Sequence, residues 1–227
     1  MNLQNMKKNR EGGFTLLELL IVISIIAILS VALIFVINPA ETLRKSRDAQ
    51  RISDLSTLKT AIALYLTSTT TPYMGTGNSN TGCKATPTDA WTAGKKIFYS
   101  ISSATAITAS STDGWTGNIT VGQVSTASLT LTDGTGWIPV NFDSLTGGSP
   151  ISNLPIDPTN TVTVGGANSG DYVYRYACSI TPLAFEIDAS LESIAYASSS
   201  QATDGGNNAS YFEVGTNLKI IGSGTTF

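Results

Sequence analysis

The longest apolar stretch of the chain runs from Phe14 to Ile37 and contains a single charged residue, Glu18. A helix of this length spans about 36 Å, which is enough to cross a hydrocarbon core of roughly 30 Å. The pattern therefore predicts a membrane-spanning helix over 14–37. Because a carboxylate inside such a segment needs a partner or a path to water, Glu18 is a candidate functional residue.

A second helix is predicted over 38–68, where apolar residues recur at steps of three or four. Asn38 is a good N-cap, Pro39 suits the first helical position, and Glu41 stands where a capping box has an acid. The chain is therefore expected either to kink at Pro39 or to break and restart there. The charged residues that follow are interpreted as a solvated helix face. The basic members of that face are Arg44, Lys45, Arg47 and Arg51.

The remaining segment, 69–227, is rich in Ser, Thr and Gly, and its short alternating runs are separated by turn residues. This pattern predicts strands over 97–102, 119–124, 128–132, 137–142, 161–164, 172–178, 184–189, 211–214 and 218–221. The segment 191–197 is compatible with a strand or a short helix. A long helix followed by short antiparallel strands predicts an α+β fold, with the apolar stripe of the helix packed on the sheet.

A short basic leader precedes the apolar run and carries Lys7, Lys8 and Arg10. An ordinary secretory signal has its cleavage site after its apolar stretch. Here the small residues Gly12 and Gly13 stand before that stretch, and only small side chains let a backbone lie flat in a narrow protease cleft. Cleavage after Gly13 would therefore leave the apolar helix on the mature protein, with Phe14 as its new amino terminus.

The sequence GFTLLELLIVISIIAIL, from Gly13 to Leu29, resembles the start of type IV prepilins and of the pseudopilins of type II secretion systems. The resemblance implies that prepilin peptidase removes 1–13 as a leader peptide and methylates the new amine of Phe14. It also implies that Glu18 pairs with the Phe14 amine of a neighbouring subunit. Inside an apolar bundle either charge alone would be costly, so this pair would fix the stagger between helices.

The partners implied by the resemblance are other pilin subunits, prepilin peptidase, and a pilus or secretion assembly machinery. The positive-inside rule places the basic leader in the cytoplasm. We therefore expect a single-pass protein of the cytoplasmic membrane with its C-terminal domain outside, which then enters an extracellular filament or a periplasmic pseudopilus. The sequence LPIDPTN at 154–160 is also similar to a Pro-Asp-Pro turn of pseudopilins and minor pilins, although a proline-stiffened turn between strands explains it equally well.

Charge and composition argue against several other functions. Residues 60–227 contain five basic and eleven acidic residues, which argues against nucleic-acid binding by the globular domain. The chain has no histidine, which excludes Ser-His-Asp and Cys-His catalysis and any imidazole metal ligand. We therefore expect a protein that is not an enzyme.

We expect no cofactor, with calcium kept as an alternative at one turn. The segment Asp204–Asn208 is rich in oxygen ligands, but it lacks the alternating acids and the closing glutamate of a calcium loop. Some pseudopilins bind calcium through a carboxylate loop near the C-terminus, which keeps this alternative open beside a plain Gly-Asn turn.

Cys83 and Cys178 are the two cysteines of the chain. In an exported protein such a pair indicates a disulfide, and two unpaired thiols are the alternative. A bond between them would close a long loop and contribute up to about 4–5 kcal/mol by restricting the unfolded chain.

Three functions follow from these observations. A pilin would build long surface fibres, and a pseudopilin would build a short envelope-spanning piston for secretion. A membrane-anchored binding domain that never polymerises would keep an uncut amino terminus and tolerate Glu18 near the membrane interface. The resemblance and the large Ser/Thr-rich domain favour a pilin-like filament subunit.

Overall fold

The computed structural model describes residues 13–105, 107, 119–162 and 170–223, so the predicted leader over 1–12 lies outside the described residues. The chain divides into two compact units, Met1–Thr42 and Leu43–Phe227. The first unit contains α1, which extends over Leu16–Ile37. The apolar helix expected from Phe14 onward therefore forms, and it begins at Leu16 because Thr15 is its N-cap.

The helical path is interrupted at Asn38, which has a left-handed backbone with φ of 44°. The second helix, α2, begins at the next residue and extends over Pro39–Ser68. The Asn38 side chain accepts a hydrogen bond from the Glu41 backbone N–H at 3.4 Å, and this confirms its predicted role as an N-cap. The helix therefore does not simply kink at Pro39: α1 ends and α2 starts anew, which was the second of the two expectations.

The globular unit contains a five-stranded sheet with the strand order β2-β1-β3-β4-β5. The strands are β1 (Lys96–Tyr99), β2 (Thr120–Gly122), β3 (Tyr174–Ile180), β4 (Leu183–Ala189) and β5 (Phe212–Gly215). The pairs β1–β3, β3–β4 and β4–β5 are antiparallel, but β1 and β2 are parallel. The expectation of a wholly antiparallel sheet was therefore wrong, and the sheet is mixed. A parallel pair needs a long crossover, which the segment between these two strands is long enough to provide.

The main core lies between α2 and one face of the sheet. The apolar stripe of α2 includes Leu55, Leu58 and Ile62, all fully buried. Alternate residues of β3 such as Tyr174 and Tyr176 face the same cluster, as the two-residue period of a strand requires. The predicted packing of the helix stripe on the sheet is confirmed.

Two of the predicted strands, 128–132 and 137–142, are turns instead. Trp137 donates its backbone N–H to the Leu129 carbonyl at 3.1 Å, and Phe142 donates to the Thr132 carbonyl at 2.8 Å. These isolated bonds replace a strand ladder. Most apolar residues of this segment are buried, but their burial comes from packing in the core and not from strand pairing.

The strand predicted over 218–221 is also absent, because the backbone N–H groups of Ile220 and Ile221 donate to the carboxylate of Glu186 instead of to a neighbouring strand. Thr161 makes only an isolated bridge with Tyr172, and the end of that predicted strand, 163–164, lies outside the described residues. The ambiguous segment 191–197 resolves as a helix, α3, which extends over Ile194–Ser199.

Candidate functional site

The peptide that precedes α1 is open to solvent. A Cβ atom added to Gly13 would meet no heavy atom within 4 Å, and Phe14 is 88% exposed. The next residue, Thr15, has an extended backbone with φ of −75° and ψ of 150°. An exposed peptide with a small residue before the bond is the form in which a protease cleft can accept a chain, and the Gly13–Phe14 bond has this form.

Glu18 is held by its own chain in a capping box at the start of α1. Its Oε2 atom accepts hydrogen bonds from the Thr15 backbone N–H and from the Thr15 hydroxyl, both at 2.9 Å. The Glu18 N–H donates in return to the Thr15 hydroxyl at 3.2 Å. This reciprocal arrangement satisfies two groups that a helix terminus would otherwise leave unpaired. It also places the carboxylate beside Thr15, the residue that follows Phe14.

The helix that carries Glu18 is apolar on every side. The segment Leu16–Ile34 is long and apolar enough to cross a membrane, and none of it is buried within the protein. A helix that is apolar all round requires burial in lipid or against other helices. Ser24 and Ser30 do not interrupt this surface, because each hydroxyl donates to a backbone carbonyl of the same helix at 2.7 Å.

These features agree with the comparison to known families. The family model described as the prokaryotic N-terminal methylation motif matches residues 8–34. The chain carries a type IV prepilin-like signal. The match includes the Gly13–Phe14 bond, Glu18 and most of α1. No curated protein and no solved structure matches the chain.

The prepilin-like signal and the architecture support each other. An α+β arrangement with a long N-terminal helix and a mixed sheet matches a pilin-like fold, which confirms the predicted fold class. The motif indicates a structural protein of the pilin and pseudopilin class instead of an enzyme, and the apolar helix indicates membrane anchoring.

A buried ionic cluster in the globular unit was missed by the sequence analysis. Arg51 is fully buried and binds both carboxylate oxygens of Asp157, at 2.6 and 2.9 Å. Its Nη1 atom also contacts Asp48 at 2.8 Å and Glu192 at 2.7 Å. We call Arg51, Asp48, Asp157 and Glu192 the arginine clamp. It ties α2 to two distant segments of the chain.

The arginine clamp corrects the prediction that this part of α2 is a solvated charged face. Arg51 and its neighbour Asp48 have no exposed surface. Asp48 is satisfied by the backbone N–H groups of Glu192, at 2.9 and 3.1 Å, and of Ser193, at 2.7 Å. The interleaved charges indicated solvent, but the partners of Arg51 outside α2 lie more than 100 residues away, as the 106-residue separation of Arg51 and Asp157 shows.

Glu192 connects the arginine clamp to Arg47, which donates from Nε to Glu192 at 2.8 Å. Hydrogen bonding from Arg47 lowers the pKa of Glu192 from 4.5 to about 2, with Arg51 adding to the effect and burial opposing it. A carboxylate whose pKa is lowered in the folded state stabilises that state above its unfolded pKa. The stabilisation by Glu192 is therefore complete above about pH 4.5 and is lost as the pH falls towards 2.

A second buried cluster lies on the opposite face of the sheet. Arg175 on β3 donates to Asp188 on β4 at 2.6 Å. On the same face, burial together with a hydrogen bond to Glu186 raises the pKa of Glu213 to about 10. Glu213 and Glu186 are in contact and away from water, so charging both carboxylates would be costly. The two groups therefore share a proton. The cluster joins β3 to β4 through Arg175 and Asp188, and it holds the chain near Ile220 through Glu186.

The turn kept as an alternative calcium loop is held by its own hydrogen bonds. Asp204 accepts from the Gly206 N–H at 2.8 Å through one oxygen and from the Glu213 N–H at 2.7 Å through the other. Within the part of the chain that the structure describes, no group of three or more acids, cysteines or histidines could hold a metal ion. Calcium binding at this turn stays a prediction.

The two cysteines form a disulfide between Cys83 and Cys178 across 95 residues of sequence. Cys178 lies on β3, and both cysteines belong to the main core. The neighbouring Lys84 donates its backbone N–H to the Cys178 carbonyl at 2.8 Å. The disulfide therefore fastens the segment before β1 to the middle of the sheet.

Replacing both cysteines with alanine is expected to lower the free energy of unfolding by about 2–4 kcal/mol, because the unfolded chain gains the freedom that the closed loop removed. Urea titration of the full chain in detergent micelles, followed by tryptophan fluorescence to which the buried Trp91 and Trp137 contribute, measures the difference. A reductant should reproduce the loss in the wild-type chain and have no effect on the double variant. Equal urea midpoints for the two proteins would contradict the stabilising role.

Proposed function

We propose that this protein is the structural subunit of a type IV pilin-like filament, processed at Gly13–Phe14, methylated on the Phe14 amine and polymerised through α1. The observation that carries the proposal is the open Gly13–Phe14 peptide directly before an apolar helix with Glu18 near its start. The Gly13–Phe14 bond, Glu18 and most of α1 fall within the matched methylation motif.

The proposed path of the subunit begins in the cytoplasmic membrane. Residues 1–13 are the cytoplasmic leader, 14–37 span the membrane, and 38–68 continue as the amphipathic helix into the outer domain, 69–227. Prepilin peptidase removes the leader, and a pilus assembly machinery then moves the subunit into a filament with other copies or other pilins. Because lipid and a helix bundle are both apolar, this transfer gains little hydrophobic free energy. Specific contacts between subunits must therefore determine how the helices pack in the filament.

Glu18 is the residue proposed to make the specific contact. Cleavage creates an ammonium group at Phe14, one residue before the Thr15 groups that Glu18 already binds. Only Oε2 of Glu18 is engaged among the described residues, so Oε1 is available to a further donor. A neighbouring subunit that brings its ammonium to Oε1 neutralises both charges within the apolar bundle.

The processing step is tested by the intact mass of the protein extracted from cells that contain prepilin peptidase. We expect the mass of residues 14–227 with one added methyl group. The variant Gly13→Val should keep its full mass, because a branched side chain cannot fit a cleft shaped for glycine. Gly170→Val is the matched control, since Gly170 also has open space at its Cβ position and does not require a positive φ.

Electron microscopy of the cell surface tests the assembly step. Long filaments that contain the processed subunit would support the proposal. Processed protein that stays within the envelope would instead support the pseudopilin alternative of type II secretion. An uncut and unmethylated amino terminus in the wild-type protein would contradict both, and would leave the membrane-anchored binding domain.

A further inference from the structure

A concavity of about 310 Å³ lies where the chain leaves the end of α2. Its walls include Tyr65, Thr69, Thr71, Tyr73, Asn78 and Asn141. We call it the tyrosine groove. Among the described residues no charged side chain lines it, and its polar groups are hydroxyls and amides. Its volume falls at the lower end of the range for small-molecule sites, roughly 300–1,000 Å³.

The floor of the tyrosine groove is fixed by contacts within the protein. The hydroxyl of the buried Tyr65 accepts a hydrogen bond from the Tyr73 backbone N–H at 3.0 Å. The Tyr65 ring also meets Phe142 edge to face, with 6.1 Å between ring centroids. On the other wall, Oδ1 of Asn141 accepts from the Ser144 N–H at 3.2 Å. The groove is therefore formed before any ligand arrives.

Several polar groups of the groove have hydrogen-bonding capacity that the fold does not use. The hydroxyls of Thr71 and Tyr73, the side-chain amide of Asn78 and the Nδ2 group of Asn141 donate to no other described residue, and Thr71, Tyr73 and Asn78 are exposed to solvent. The ring of Tyr73, which is 41% exposed, adds an aromatic face beside them. The groove thus offers neutral donors and acceptors next to an apolar surface.

We propose that the tyrosine groove binds a neutral carbohydrate. A sugar ring has hydroxyls around its edge, which match the free amides and hydroxyls, and C–H groups on its face, which match the ring of Tyr73. An ionic ligand would lose its hydration without meeting an opposite charge in this groove. The site does not depend on polymerisation, because all of its residues belong to one subunit.

Saturation-transfer NMR on the full chain in lipid nanodiscs tests the proposal and avoids sugar-based detergents. The probes are the methyl glycosides of glucose, galactose, mannose and N-acetylglucosamine. We expect transfer to at least one of them, and a fall of about three- to tenfold in the Tyr73→Ala variant, as the loss of an aromatic contact predicts. Tyr196→Ala is the control, since Tyr196 lies on α3 outside the groove, and it should retain the signal.

A second variant, Asn141→Asp, examines the donor directly. Aspartate keeps the oxygen that caps Ser144, so the turn is preserved, but it lacks the Nδ2 donor. We expect transfer to fall in this variant as well. The absence of transfer from all four glycosides, or a signal that survives both Tyr73→Ala and Asn141→Asp, would overturn the proposal.

Discussion

Cells that express Glu18→Ala are expected to remove the leader normally and to assemble almost no filament. The substitution leaves the Gly13–Phe14 peptide and the apolar span intact, so processing and membrane insertion should continue. In the filament, however, the Phe14 ammonium would be buried without a partner. An unpaired buried charge is strongly destabilising, and we expect the yield of sheared filament to fall by about a hundredfold or more.

The alanine variant also breaks the capping box, so a second substitution must separate the two roles of Glu18. Glutamine keeps an oxygen that can accept from Thr15, but it has no charge to offer the ammonium. We therefore expect Glu18→Gln to fail in assembly as Glu18→Ala does. Filaments of Glu18→Gln at the wild-type level would show that capping, and not charge pairing, is the function of Glu18.

The measurement is the amount of processed subunit in sheared filaments relative to the amount in the membrane, determined by immunoblot and mass spectrometry. Glu41→Ala is the control, because Glu41 is the next acid along the chain and lies outside Leu16–Ile34. It should assemble like the wild type. An equal loss of filaments in Glu41→Ala would mean that the effect of Glu18→Ala is not specific to the position of Glu18.

Replacing Arg51 with leucine is expected to lower the free energy of unfolding by about 3–5 kcal/mol, since the arginine clamp would keep its carboxylates without their cation. Burial by itself would lower the pKa of Arg51, but the hydrogen bonds and charge of Asp157, with those of Glu192 and Asp48, raise the pKa instead. Arg51 is therefore strongly held in its charged form. The expected loss is a large part of the roughly 5–15 kcal/mol that stabilises a typical domain.

Urea denaturation of the full chain, followed by circular dichroism, measures this loss. Lys59→Leu is the matched control, because Lys59 is an exposed cation on the same helix and should change stability little. If Arg51→Leu unfolds at the same urea concentration as Lys59→Leu, the clamp does not stabilise the domain.

The helices were predictable from the sequence because their signals are local. Thr15 and Asn38 are caps that act on residues three positions away, and both helices end near the predicted residues. The strands β3 and β4 were also found, since they join directly through a short turn and pair along their whole length. For such elements the neighbouring residues carry enough information to fix the structure.

The failures share a different cause, which is the distance along the chain between partners. Nothing in the sequence near Arg51 indicates that Asp157 and Glu192 will enclose it. The charged residues of α2 were therefore interpreted as a solvated face, although Arg51 belongs to a buried ionic cluster. Trp137 has the spacing of a strand residue, but its burial comes from core packing. The parallel pairing of β1 and β2 likewise depends on a long crossover whose path the local sequence does not specify.

The bond between Cys83 and Cys178 has a consequence for the order of export. A reducing cytoplasm keeps cysteine thiols reduced. This disulfide is therefore expected to form only after both cysteines have crossed the membrane. If the globular domain is exported as proposed, Cys83 crosses the membrane 95 residues ahead of Cys178 and has no disulfide partner until Cys178 follows. Maturation of the subunit proposed above would therefore require an oxidising environment beyond the membrane.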